Sequence, residues 1–333
     1  MGLNMNVSEM NSKNIYFVGS YSAFQFNDDF EKWAKLLQGF IDLEGTDSFV
    51  EGKVHLKETD RWKRITRFDG ATLSKWMREF EEGKLGDIHL YSISEKPDWK
   101  RWLAEGTNIL LFTAPAVRTK GNPIIADHFG RGGCITVTYP VSRFRIGEKS
   151  GFQERLIDLV KRQFVNLRLS WSFVHLGAQP VMPFSVGSDH VFEQSKDAFP
   201  FTSFDYDIKV YIIDFFKEYA KGVFWTNFLN PVHVERLGGV DAIKKAEPCS
   251  VIEELEGGGV LLQVDDSPLP RDFKEAAVKY QRLRSFLRPI LLETGEEFGD
   301  VQRKMLGLSH EEYSQSCEEA AKNKALRKIL KSG

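Results

Sequence analysis

The sequence predicts an α+β fold of two packed subdomains, each a mostly antiparallel sheet flanked by helices. Three observations lead there. Several stretches repeat apolar residues at helical spacing, while the strand-like stretches are short and mostly alternate apolar with polar residues. The two kinds do not take turns along the chain, as the crossovers of a parallel sheet would require. With 333 residues, 42% of them hydrophobic and 28% charged, the chain can bury a sizeable core.

Residues 1–14 are polar, lack the basic-then-apolar pattern of a signal peptide, and read as a disordered lead-in. Phe30, Trp33, Ala34, Leu37, Phe40 and Ile41 then make one face of a helix, with Asn27 or Asp28 placed to cap it. Leu73, Trp76, Met77 and Phe80 make a shorter helical face after Thr72. IHLYSI from Ile88, NILLFT from Asn108 and CITVTYP from Cys134 read as strands. In the last of these, Ile135, Val137 and Tyr139 share one side and Thr136 and Thr138 the other. A helix is expected from Ser150, whose hydroxyl and Gln153 form a capping-box pattern, with Phe152, Leu156, Leu159, Val160, Phe164 and Leu167 on its apolar face.

SWSFVHL from Ser170 is the next strand, and Ile208 to Tyr219 the next helix, with Gly222 as its stop. SVIEELEGGGVLLQV reads as a hairpin joined by a glycine-rich turn. A helix follows from Phe273 to Leu287, and a last one after Ser309, where Glu312 completes a second capping box before the basic run KNKALRKILK. The seam between subdomains is placed near residues 143–150. That gives an N-terminal subdomain 15–148, a C-terminal subdomain 149–290 and a helical extension 291–333.

Little in the sequence asks for catalysis. No two of the seven histidines lie closer than fifteen residues, so no local metal-ligand pair exists, and no metal or cofactor is expected. His175, set among alternating apolar residues, reads as a core or strand-surface histidine. FGRGG at 129–133 has neither dinucleotide-fingerprint nor P-loop spacing and reads as turn punctuation. Cys134, Cys249 and Cys317 are far apart and sit in no nucleophile motif, which points to a reducing, cytoplasmic compartment. A net charge of −2 attracts neither nucleic acid nor an anionic membrane, and no apolar run reaches the length of a spanning helix. No small-molecule substrate is indicated.

Charge segregation is the pointed feature. From Ser185 to Glu218 seven acids stand against three lysines, and from Glu247 to Asp272 seven acids stand against Arg271 alone. Bases gather elsewhere, in RWKRITR at 61–67 and in the helix after Ser150. Such blocks are ordinarily solvated faces. In the first block, however, the acids interleave with aromatics, a combination suited to docking on a basic protein. The candidate docking acids there are Asp189, Glu193, Asp197, Asp205 and Asp207, with Phe192, Phe201 and Tyr206 as anchors or, alternatively, core residues. In the second block they are Glu253, Glu254, Glu256, Asp265 and Asp266.

GVFWTNFLNPVHVERLGG (Gly222–Gly239), SVIEELEGGGVLLQVDDSPLPRDF (Ser250–Phe273) and the helix ending near Leu287 resemble the TsiV-type family of type VI secretion immunity proteins, which counter effectors with a VRR-Nuc nuclease domain. Trp225, Phe228, Leu237, Gly238, Gly239, Gly257, Gly258, Pro268 and Asp272 carry the likeness. It runs from about residue 130 to 290, and SWSFVHLG departs from it in being more aromatic. The resemblance implies a non-enzymatic protein whose partner is one cognate nuclease effector, bound one-to-one, with its acids filling a groove that otherwise holds DNA. An adaptor of the same secretion system, binding without inhibiting, is the alternative. Gly238 and Gly239 are expected to mark a backbone turn.

Overall fold

The computed structural model describes residues 14–25, 29–59, 61–65, 69–93, 105–113, 133–144, 151–180, 216–220, 222–269 and 273–292, with parts of 297–318. Its strands are β1 (Asn14–Phe24), β2 (Glu51–Leu56), β3 (Arg61–Ile65), β4 (Leu85–Tyr91), β5 (Asn108–Thr113), β6 (Gly133–Pro140), β7 (Trp171–Pro180), β8 (Thr226–Leu229), β9 (Val251–Glu254) and β10 (Val260–Gln263). Its helices are α1 (Phe30–Glu44), α2 (Gly70–Glu81), α3 (Phe152–Asn166), α4 (Pro231–Arg236), α5 (Val240–Ala246) and α6 (Phe273–Leu287). The α+β class and the antiparallel pairing are as expected. The strands of both halves join in a single ten-stranded sheet, ordered β3-β2-β4-β5-β6-β1-β7-β8-β10-β9.

The joint is β1, which pairs with β6 on one side and with β7 on the other. Its ladder to β7 runs from Asn14 opposite Pro180 to Ala23 opposite Trp171. Gly19, Ser20, Ser22 and Ala23 keep it slim between two covered faces, and Ser172 Oγ donates to Ser22 Oγ at 2.9 Å across the ladder. A strand buried on both faces need not alternate apolar with polar residues, which is why β1 shows no period-two signal.

The helices follow their apolar stripes, with caps that differ in detail from expectation. The N-cap of α1 is Asp29, whose carboxylate accepts from Lys32 N at 3.2 Å, and that of α2 is Asp69, accepting from Thr72 N at 2.7 Å. The expected capping box at Ser150 is replaced. The α3 N-cap is Gly151 in the left-handed region at φ 61°, with no side-chain cap, and Gln153 Nε2 donates instead to Asp266 O at 2.6 Å. The second capping box is present, with Glu312 N donating to Ser309 Oγ at 3.2 Å and Ser309 N to Glu312 Oε2 at 2.8 Å.

Alternation along the strands builds two cores. Val18, Phe24, Ile88, Leu90, Ile135, Val137, Tyr139, Val174, Phe228 and Leu261 face α1, α2 and α3. Tyr21, Ala23, Trp171, Phe173, Leu229, Val260 and Leu262 face the opposite way, toward Phe216, Ala220, Val223 and Phe224 and α4, α5 and α6. There Phe173 stacks on Phe224 with centroids 3.6 Å apart, and Trp171 on Phe216 at 4.7 Å. The aromatic character of SWSFVHLG is thus the filling of the second core. On the first face α1 approaches α3 at Gly39, where a Cβ would lie 2.3 Å from Gln163 Nε2, itself donating to Leu36 O at 2.8 Å.

Thr136 and Thr138 lie opposite the Ile135 face as expected, but they are buried rather than solvated. The basic stretch at 61–67 includes the edge strand β3. Its Arg64 turns inward to the buried Glu51 at 2.5 Å, while Arg61, Trp62 and Lys63 are exposed.

Candidate functional site

The acids of the second block sit on the hairpin that closes the other edge of the sheet. Its turn requires glycine. Gly257 and Gly258 both have φ of 85°, a region L side chains rarely adopt, and a Cβ on Gly259 would meet Leu229 O at 2.8 Å. Leu255 is buried beneath the turn and holds it, with Gly258 N donating to Leu255 O at 3.1 Å. Glu256 is left exposed at its tip.

Period-two geometry separates acids that are neighbours in sequence. Glu253 lies opposite Leu261 and shares its face, where Lys161 of α3 reaches it at 3.1 Å. Glu254 lies opposite Val260 on the other face and meets Lys244 of α5 at 3.3 Å. Asp265, beyond the end of β10, pairs with Lys279 of α6 at 2.7 Å. Lys161 also holds Asp158, and Lys279 also holds Glu275. Hydrogen bonds from Lys161 to Glu253 and from Lys279 to Asp265 push both ammonium groups above the usual lysine range.

The main chain of the Asp265–Asp266 turn is tied down from both sides. Asp265 O accepts from Trp225 Nε1 at 2.6 Å and from Gln263 Nε2 at 2.8 Å, while Asp266 O accepts from Gln153. Five steps of strand, roughly 17 Å, separate this turn from the start of β10 beside the glycine turn. The second acidic block is therefore a belt around the edge of the sheet, on both faces and at both ends of the hairpin. Seven carboxylates (Asp158, Glu253, Glu254, Glu256, Asp265, Asp266 and Glu275) share this belt with Lys161, Lys244 and Lys279. Sequence reasoning singled out five of these acids but neither Asp158 nor Glu275, and it paired none of them with these lysines; Lys161, for one, is 92 residues from Glu253.

The other candidate residues, Asp189, Phe192, Glu193, Asp197, Phe201, Asp205, Tyr206 and Asp207, lie outside the described residues, as do Asp127, His128, most of FGRGG and residues 208–215 of the expected helix, whose described end at 216–219 is a short 3-10 turn and not α-helix.

The described titratable groups offer little chemistry. Burial raises the Cys134 thiol to about 12 and the Cys249 thiol to about 11, so neither is a nucleophile at neutral pH. Burial, reinforced by Arg236, lowers His233 to about 3, and burial with Lys53 does the same for His89. Neither imidazole is tuned for acid–base work near pH 7. His175 is buried, as expected, and its Nδ1 accepts from Trp225 N at 3.1 Å. Among the described residues no group of three His, Cys, Asp or Glu could hold a metal, and no helix is long and apolar enough to cross a membrane.

Residues 213–314 match the model of the TsiV family, described as type VI immunity for VRR-NUC. The match contains the Gly222–Gly239 and Ser250–Phe273 stretches that carry the resemblance, and it continues past residue 290 into the segment expected to lie beyond it. Gly238 and Gly239, with φ of 91° and 89°, form the backbone turn between α4 and α5. By fold, the chain is similar to the Pseudomonas aeruginosa T6SS protein PA0821, with a TM-score of 0.53 and 13% identity over 92% of this chain and 86% of that one. At that identity the likeness is one of fold. No curated protein matches the chain by sequence.

Proposed function

From the type VI immunity match over residues 213–314, we propose that the chain is an immunity protein that binds and blocks a nuclease effector carrying a VRR-Nuc domain. That match is the observation that carries the reading. The hairpin supports it physically. A nuclease must present a basic groove to its phosphate substrate, and a carboxylate-rich edge is the complement of such a groove. Occlusion needs no turnover, so no catalytic residue is required of this chain. Nuclease–immunity pairs can reach a Kd of roughly 10⁻¹³ M. Because the substrate of a DNase lies inside the cell, the encounter is placed in the cytoplasm, with one chain of each partner in the complex.

The test is recovery of the partner on the tagged protein through a high-salt wash, followed by a DNA-cleavage assay with and without this chain. The expected result is a VRR-Nuc effector whose cleavage is abolished at an equimolar ratio. A stable complex that still cuts DNA at the free-enzyme rate would replace immunity by the adaptor reading. Recovery of no nuclease from cells expressing the effector would remove both.

A further inference from the structure

Among the described residues, the hairpin that bears the acids also ends the sheet. Leu255 N donates to Gly259 O at 2.8 Å, and Val264 N to Trp225 O at 2.8 Å. These two bonds set the phase of both ladders. In an antiparallel pair, hydrogen-bonded and non-hydrogen-bonded positions alternate. In the β9–β10 ladder, Glu253 with Leu261 and Val251 with Gln263 are therefore the bonded pairs. The N–H and C=O groups of Ile252 and Glu254 consequently point away from the sheet. β9 ends the strand order, and Val251 and Glu254 are exposed. A row of outward-facing backbone donors and acceptors is a template for one more strand.

The side chains select which strand. Two β9 edges pairing antiparallel about their centre would oppose Glu253 to its own copy, and like charges opposed across a ladder destabilise it. A basic strand meets the reverse situation. Each carboxylate has about four acceptor positions, of which a single ammonium fills only part. Side-chain exposures of 45% for Glu253 and 56% for Glu254 leave the remainder accessible. Since those two acids lie on opposite faces, the complementary strand carries basic residues at two adjacent positions, one reaching each face.

We propose that β9 docks an extended basic segment of the nuclease effector as an eleventh strand, its backbone bonding to Ile252 and Glu254 and two adjacent cationic residues meeting Glu253 and Glu254. This rests on the immunity reading and adds to it the mode of contact.

The experiment compares Glu254→Pro with Glu254→Ala, using the recovered VRR-Nuc effector as the probe. Both variants remove the carboxylate. Only proline also removes the outward N–H, and it does so without deleting a bond to β10. The expected result is a Kd at least about tenfold weaker for Glu254→Pro than for Glu254→Ala. Hydrogen exchange on the unaltered complex keeps the question open to refutation should the proline variant misfold. Peptides covering 251–254 should slow in exchange when the effector binds. An inhibited complex without protection at 251–254 overturns the docking edge and leaves the immunity reading standing. Protection at both 251–254 and 61–65 in the protein alone, rising with its concentration, overturns it in favour of a second copy. Absence of any complex overturns the immunity reading and the docking edge together.

Discussion

Trp225→Ala removes the side chain that links the core to the acidic turn. Trp225 is fully buried, contributes to the core beneath α1, α2 and α3 and donates Nε1 to Asp265 O at 2.6 Å. Truncating a buried tryptophan to alanine costs about 3–5 kcal/mol through lost transfer energy and the cavity left behind. The hydrogen bond adds about 1 kcal/mol, without an orphan penalty, because Asp265 O keeps its bond from Gln263 Nε2 at 2.8 Å. Folded domains are stable by roughly 5–15 kcal/mol, so this one change removes a large share. Urea unfolding followed by far-UV circular dichroism should show the midpoint falling by more than about 1 M. Trp225→Phe keeps most of the packing and loses only the N–H and part of the ring, so a cost of about 1–2 kcal/mol is expected. A Trp225→Ala protein within about 1 kcal/mol of the parent would refute the core assignment. A Phe variant as damaged as the Ala variant would show that the bond to Asp265, not packing, dominates.

Neutralising the belt with Glu253→Gln, Glu254→Gln and Asp265→Asn should slow association with the effector by a few-fold to about tenfold, and flatten its salt dependence. The fold should lose no more than about 1 kcal/mol per partly exposed pair, read from thermal melts. Unchanged association would exclude the belt from the interface. Neutral replacements are preferable to lysines, which would confront Lys161, Lys244 and Lys279 directly. His233 provides a pH test: its pKa is about 3 when folded and near 6.5 when unfolded, so the fold favours the neutral form. That stability is complete above pH 6.5 and lost as pH falls toward 3, by about 2 kcal/mol at pH 5, with half-buried His89 acting in the same direction. Urea midpoints at pH 7.5 and pH 5 should separate in the parent, and the separation should narrow in His233→Gln and narrow further when His89 is also replaced by Gln. Gly259→Ala sets a Cβ 2.8 Å from the Leu229 carbonyl oxygen, and a loss of about 1–3 kcal/mol is expected in the same unfolding assay. A neutral effect there would mean that the turn relaxes freely.

Much of the local structure could be read from the chain alone. The apolar stripes of α1, α2, α3 and α6, the strands β4 to β7 and the glycine turn of the β9–β10 hairpin all follow from short-range rules, because side-chain periodicity and positive φ act within a few residues. The family segment was legible for the same reason, since its pattern of Trp225, Gly238, Gly239, Gly257 and Gly258 is a run of fold-defining positions. Long-range closure determined the rest. β1 sits between β6 and β7 because its small residues fit between two covered faces, and no pattern within its own eleven residues announces that. Acids adjacent in sequence became a belt on opposite faces, because strand side chains alternate and the hairpin forms the sheet's edge. Their lysine partners come from α3, α5 and α6, brought in by packing against the two faces of the sheet, which no local spacing encodes.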